Sequence, residues 1–185
     1  MTLNLPRSLL ATSLGLTLAF GVFAPVAFAE PHKQILADSE QYKGEALKLL
    51  ERLVNIDSGS GYEPGLTQVS DIAIDELKKL GATIELVPNT PDKSNHVLAT
   101  LKGTGKAKIL LMAHMDTVFK EGSAAQRPFH IKDGRAYGPG VMDDKGGIVA
   151  GIYALKVLKN LDFKDYAQIT FLLDASEETG SDIAT

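Results

Sequence analysis

This sequence predicts an α/β fold, a mainly parallel mixed sheet flanked by helices, on three observations. Short apolar runs alternate with longer segments whose apolar residues recur at helical spacing. Phe129 to Leu173 reads as strand, helix and strand, the crossover that joins parallel neighbours. The last of these strands, Gln168 to Leu173, has the apolar character of a strand buried on both faces.

The elements follow in order. Between Ser39 and Val54 the residues Ala46, Leu47, Leu49, Leu50, Leu53 and Val54 keep a helical period. Asn55 to Gly65, rich in Gly, Ser and Asp, reads as a loop. A second helix runs from Leu66 to Leu80, with Val69, Ile72, Ala73, Ile74 and Leu77 on its apolar side and Gly81 as its stop. Strands are predicted at Thr83 to Val87, His96 to Leu101, Lys108 to Ala113 and Phe129 to Tyr137. Pro88 to Ser94 and Lys102 to Lys106 are the turns among them. A helix from Asp144 to Leu161 presents Ile148, Ile152, Leu155 and Leu158 on one face. Its acids stand at the N-terminus and Lys156 and Lys159 near the C-terminus, as the helix dipole favours.

Residues 1–29 stand apart. Arg7 is their only charge, Leu9 to Ala29 is apolar, and Ala27-Phe28-Ala29 has the form of a leader-peptidase site. The expectation is a signal peptide cleaved before Glu30, no stable membrane anchor afterwards, and a periplasmic or secreted product. Residues 30–185 are enough for one domain. The chain has no cysteine, which excludes disulfides, thiol catalysis and thiolate metal sites. Its net charge of −4, with Lys and Arg scattered, argues against nucleic acid as a partner.

Three short motifs carry the candidate chemistry. His114 and Asp116 end the run Ile109 to Ala113, and residues two apart on a strand point the same way. A ligating histidine commonly gives its second ring nitrogen to a carboxylate or carbonyl, so this spacing suits a metal ligand and its support. Asp143-Asp144 and Glu177-Glu178 each lie beside a turn next to a core element. The first pair also suits helix capping, and the second a solvated turn. Ligands in open α/β sheets bind beyond the carboxyl ends of strands, where His114 and Glu177/Glu178 lie, so the positions agree with one hydrolytic metal cleft. Tyr137-Gly138-Pro139-Gly140 lacks the third glycine of a dinucleotide loop, and Gly103-Thr104-Gly105-Lys106 lacks P-loop spacing. Those glycines read instead as a tight turn delivering Asp143. His32, His96 and His130 are expected to be structural or surface residues, and Lys145 is unassigned.

Ala113-His114-Met115-Asp116-Thr117-Val118, Gly138 to Gly147 and Ser176-Glu177-Glu178-Thr179-Gly180-Ser181 resemble successive signatures of one family. It is the co-catalytic dizinc peptidases and deacylases, which include glutamate carboxypeptidase, acetylornithine deacetylase and succinyl-diaminopimelate desuccinylase. The resemblance is strongest to the exported bacterial glutamate carboxypeptidases. It implies a zinc-exopeptidase-like catalytic domain with two Zn2+, Co2+ or Mn2+ serving as substitutes. His114 would ligate one zinc, Asp143 bridge both and Glu178 ligate the second, with Asp116 behind His114 and Glu177 as general base. It also implies a cis peptide between Asp143 and Asp144. The family often has an acid where this chain has Ser176.

The implied activity is hydrolysis of a peptide or amide bond in a small peptide or N-acyl amino acid, releasing a C-terminal residue. An N-acyl-amino-acid deacylase is the enzymatic alternative. Family members are roughly twice this length, with an inserted dimerisation domain and two later metal ligands. The resemblance therefore implies the N-terminal portion of a catalytic domain from a homodimeric protein. A catalytically inert fragment is the reading from another class.

Overall fold

The computed structural model describes residues 33–90 and 93–180. The leader assigned to residues 1–29, and His32, lie outside the described residues. Helix α1 spans Lys33–Val54 and α2 Glu63–Lys79. Strands β1 (Thr83–Pro88), β2 (Asn95–Lys102) and β3 (Lys108–His114) follow. A short helix α3 (Ser123–Gln126) precedes strands β4 (His130–Lys132) and β5 (Arg135–Tyr137). Helix α4 (Lys145–Asn160), strand β6 (Gln168–Asp174) and a 3₁₀ turn at Glu177–Thr179 complete the order.

Helix α2 starts three residues before the predicted Leu66. Pro64 in its first turn explains this, since the ring presets a helical φ where no N–H bond is needed. Its end is as expected: Gly81 adopts φ +92°. There the Gly81 N–H donates to the Lys78 carbonyl and the Ala82 N–H to the Leu77 carbonyl, closing the helix.

The four-stranded sheet has the order β1-β2-β6-β3. It is mixed, as expected, but not mainly parallel: β1/β2 and β2/β6 are antiparallel and β3/β6 alone is parallel. The physical reason is connection length. Residues 89–94 are too few for the crossover that parallel neighbours need, so β1 and β2 form a hairpin. The predicted strand from Phe129 to Tyr137 is also corrected. It is a separate two-stranded hairpin, β4 and β5, turning at Asp133 and Gly134 with φ +50° and +73°. Asp-Gly supplies the two positive φ values of a primed turn, which breaks the run in two. The crossover is real but begins at β3, passes the hairpin and α4, and returns as β6.

One sheet face carries Val97, Ala99 and Leu101 of β2 in register with Leu173, Phe171 and Ile169 of β6. Helices α2 and α4 lie against this sheet and against each other, and α1 packs on α4. Leu66, Val69, Ala73 and Leu77 of α2 join Ile148, Ile152 and Leu155 of α4 in the same buried core. Gly151 lets α4 sit close, because a Cβ there would meet the Phe171 ring at 2.4 Å. At the far end of β6 the consecutive residues Phe171, Leu172 and Leu173 are all buried, while Thr170 is half-buried. Leu110 and Met112, on the opposite face of β3, are 58% and 56% exposed among the described residues.

Candidate metal centre

The parallel pairing of β3 with β6 decides where the site forms. His114 and Asp174 are register partners at the two carboxyl ends, and the Met115 N–H donates to the Asp174 carbonyl at 2.7 Å. Whatever follows each strand must therefore emerge at one edge of the sheet. His114 is the last residue of β3, and the Glu177–Thr179 turn comes directly after β6. Asp143 arrives at the same edge on the loop before α4.

All five predicted site residues converge here. His114 Nε2 lies 3.0 Å from Asp143 Oδ1 and 4.0 Å from Glu177 Oε2. Ligand atoms of His114, Asp143 and Glu178 all fall within 4.8 Å of one another. One imidazole and two carboxylates at that spacing form a donor set that suits zinc. The peptide between Asp143 and Asp144 is cis. The adjacent acids divide their tasks. Asp144 caps α4 by accepting from the Gly147 N–H, and its other oxygen accepts from the His114 backbone N–H at 3.3 Å. Asp143 instead has its side chain mostly exposed toward the cluster.

Asp116 is fully buried and supports both halves of the site. Its Oδ1 is 3.2 Å from His114 Nδ1 and accepts from the Glu177 N–H at 3.1 Å. Its Oδ2 accepts from Ser60 Oγ at 2.7 Å and from the Glu178 N–H at 3.1 Å. His114 Nδ1 also meets the Asp116 backbone carbonyl at 3.0 Å, so this nitrogen holds a proton whether or not Nε2, which faces the acids, carries a second.

The electrostatics follow from this crowding. Burial pulls the His114 pKa down, but hydrogen bonds to Asp116 and Asp143 outweigh it and lift it to about 10. Burial alone would raise Asp116, yet bonds from His114, Ser60 and the Glu178 amide hold it below the usual carboxylate range. Desolvation and the neighbouring Asp143 carboxylate push Glu178 up. A group of acids held at unfavourable proximity around one imidazole is relieved by a bound cation.

The other histidines play supporting parts. His96 is buried with Nδ1 3.0 Å from Asp174 Oδ1, and exposed His130 stacks on Tyr137. Lys145, unassigned from sequence, is buried and donates to the Ile56 carbonyl at 2.6 Å. Burial lowers its pKa to about 8, with Asp57 offsetting part of that shift. The sequence reading also missed Ser60 and Asp57. Asp57 accepts from the Gly122 and Ala124 N–H groups and so fixes the start of α3. Their only signal was a stretch rich in Ser, Gly and Asp between two helices, where site residues often sit. Beside Glu178 a cleft of about 540 Å³ opens, lined by Ser60, Tyr62, Phe119, Glu121 and Thr179 among others.

Residues 110–184 match the sequence profile of Peptidase family M20/M25/M40. The chain is 37% identical over 177 residues to Carboxypeptidase G2 from Pseudomonas sp. (strain RS-16), covering 92% of this chain and 41% of that one. It is 37% identical over 110 residues to acetylornithine deacetylase from Proteus mirabilis (strain HI4320), covering 57% of this chain and 27% of the relative. In structure it resembles human carnosine dipeptidase 1 with a TM-score of 0.69 at 24% identity. That alignment covers 81% of this chain and 36% of the other, a likeness of fold. The chain thus spans less than half the length of each of these relatives. The segment carrying His114, Asp143 and Glu178 matches the profile of peptidase family M20/M25/M40, and the chain is similar in sequence to a carboxypeptidase and a deacetylase.

Proposed function

We propose that this protein is a zinc-dependent hydrolase of peptide or amide bonds, acting as a carboxypeptidase on small peptides or N-acyl amino acids. The observation that carries the reading is the meeting of His114, Asp143 and Glu178 within 4.8 Å, with Glu177 4.0 Å from the His114 ring. The likeness to Carboxypeptidase G2 supports the carboxypeptidase assignment. The likeness to acetylornithine deacetylase supports the second reading, an N-acyl-amino-acid deacylase, which cleaves the same kind of bond in a different pocket.

Two Zn2+ ions, when bound, supply Lewis-acid polarisation of the carbonyl and a lowered pKa for the attacking water. His114 would hold one, Glu178 the other, and Asp143 would bridge them, with Co2+ or Mn2+ as substitutes. His114 and Asp143 would give one zinc two protein donors and Glu178 and Asp143 the other two, and each ion would need further donors, water among them, to reach four. Asp116 keeps the His114 proton on Nδ1 and leaves Nε2 for ligation. Glu177 takes the proton from the attacking water and returns it to the leaving nitrogen. The cleft beside Glu178 is within the size range of small-molecule sites and would receive the substrate.

No helix among the described residues is long and apolar enough to cross a membrane. Export through the leader of residues 1–29 to the periplasm or medium, and assembly as a homodimer, complete the proposal.

The test is Glu177→Gln in protein made from the whole reading frame. Amide hydrolysis should fall by roughly 10²–10⁴-fold while zinc content stays at the wild-type value. Loss of one zinc equivalent would make Glu177 a ligand rather than a base. Wild-type protein that releases no C-terminal residue and no acyl group from any N-acyl amino acid would overturn the function itself.

A further inference from the structure

Ser60 lies outside every motif that points to the metal centre, yet its hydroxyl makes the shortest bond to Asp116, at 2.7 Å. Each Asp116 oxygen serves one partner on each side of the site. Oδ1 faces His114 and the Glu177 amide, while Oδ2 faces Ser60 and the Glu178 amide. Three of these four donors belong to the site, and Ser60 alone comes from the loop after α1.

That loop is itself held firmly. The Ser60 N–H donates to the Thr117 carbonyl, the Thr117 N–H to the Ser58 carbonyl, and Ser58 Oγ to the Met115 carbonyl at 2.8 Å. Gly59 permits this, since a Cβ there would lie 2.4 Å from the Phe119 carbonyl oxygen. Lys145 anchors the preceding residue Ile56 from the first turn of α4. The hydroxyl thus reaches the carboxylate from a rigid support.

We infer that Ser60 is a positioning residue for Glu177. By fixing the rotation of the Asp116 carboxylate it fixes the two backbone amides that set the Glu177–Glu178 turn against His114. Without the Ser60 hydroxyl, Oδ2 keeps the Glu178 amide as its one donor of the two, so the carboxylate is held less tightly and the amides hung on it loosen with it. A loop hydroxyl that was merely satisfied would leave Glu177 where it is. The inference rests on Glu177 acting as the base.

Ser60→Ala and Ser60→Thr in the whole protein separate these cases. In metal-free Ser60→Ala, hydrogen exchange at the Glu177 and Glu178 amides should accelerate about tenfold or more, with core amides of β6 unchanged. In the zinc-loaded enzyme kcat should fall about tenfold or more with KM within about twofold, as expected when a bond to a charged group is lost. Ser60→Thr keeps the hydroxyl and should restore both readouts. Unchanged exchange at the two amides would overturn the inference, as would unchanged kcat, or a Thr variant as impaired as the Ala one. If wild-type protein hydrolyses no amide, the functional reading fails while the exchange arm still decides whether Ser60 holds the turn.

Discussion

Asp116 shows how much one side chain can set. Its bonds fix the tautomer of His114, and its neighbours leave that imidazole charged in metal-free protein, with a pKa raised to about 10 from 6.5. A folded-state pKa above the unfolded one means the proton stabilises the fold. That contribution is full below about 6.5 and is lost as pH rises through about 10. A zinc ion bound at Nε2, as proposed, would displace the same proton. Binding at pH 7 should therefore release about one proton from His114, and apparent affinity should strengthen about tenfold per pH unit towards that pKa. Calorimetry in buffers of different ionisation enthalpy measures the proton count; zinc uptake that releases none at pH 7 would contradict the assigned geometry. The candidate ligands were legible in the sequence because each sits in a compact motif beside an element's end. Ser60 was not, because its partner Asp116 is 56 positions away and nothing local marks the pair.

Gly44 of α1 and Gly151 of α4 are both helical, and their surroundings give them opposite meanings. Gly44 in α1 is exposed, and nothing lies within 4 Å of where a Cβ would stand. Gly151 in α4 faces the Phe171 ring at 2.4 Å. Replacing an exposed helical glycine with alanine stabilises by about 0.8–1 kcal/mol. Forcing a methyl into a packed core costs about 1–3 kcal/mol, which exceeds that gain at most sites. Gly44→Ala should thus raise the denaturant midpoint and Gly151→Ala lower it, at unchanged m-value. Equal shifts in both would mean that α4 does not press on β6 as described. Periodicity revealed these helices and the Gly81 stop, since both are local signals. It misjudged the β4–β5 hairpin, where Asp133-Gly134 interrupts what looked like one run. It also misjudged the balance of strand directions, because pairing depends on which strands meet in space.

Across the whole molecule the candidate ligands tie together separate parts of the chain. His114 ends β3, Asp143 precedes α4 and Glu178 follows β6. A ligand that binds only the folded state stabilises it by about 2.7 kcal/mol at a hundredfold excess over Kd. For a chain of this size that corresponds to a Tm increase of roughly 5–10 °C. Thermal scans with added zinc, then with a chelator, should show that rise and its reversal. A midpoint indifferent to both would mean that His114, Asp143 and Glu178 do not together hold a metal. The sheet's overall class and the shared edge of its site were readable from strand order alone. The exposure of Leu110 and Met112 was not, because it depends on what lies over the far face.

The parallel register of β3 and β6 has a consequence for biogenesis. His114 pairs with Asp174, sixty positions later, so neither strand end can be placed by its immediate neighbours. A ribosome at ordinary speeds of about 5–20 residues per second needs several seconds to make the intervening segment. For the first half of that interval His114 exists without Asp143, and for the second half both exist without the Glu177–Glu178 turn that completes their edge. The growing chain therefore passes through a period in which it has half a metal site and an unpaired strand. Capture of a metal by His114, Asp143 and Glu178 together belongs after β6 has docked against β3.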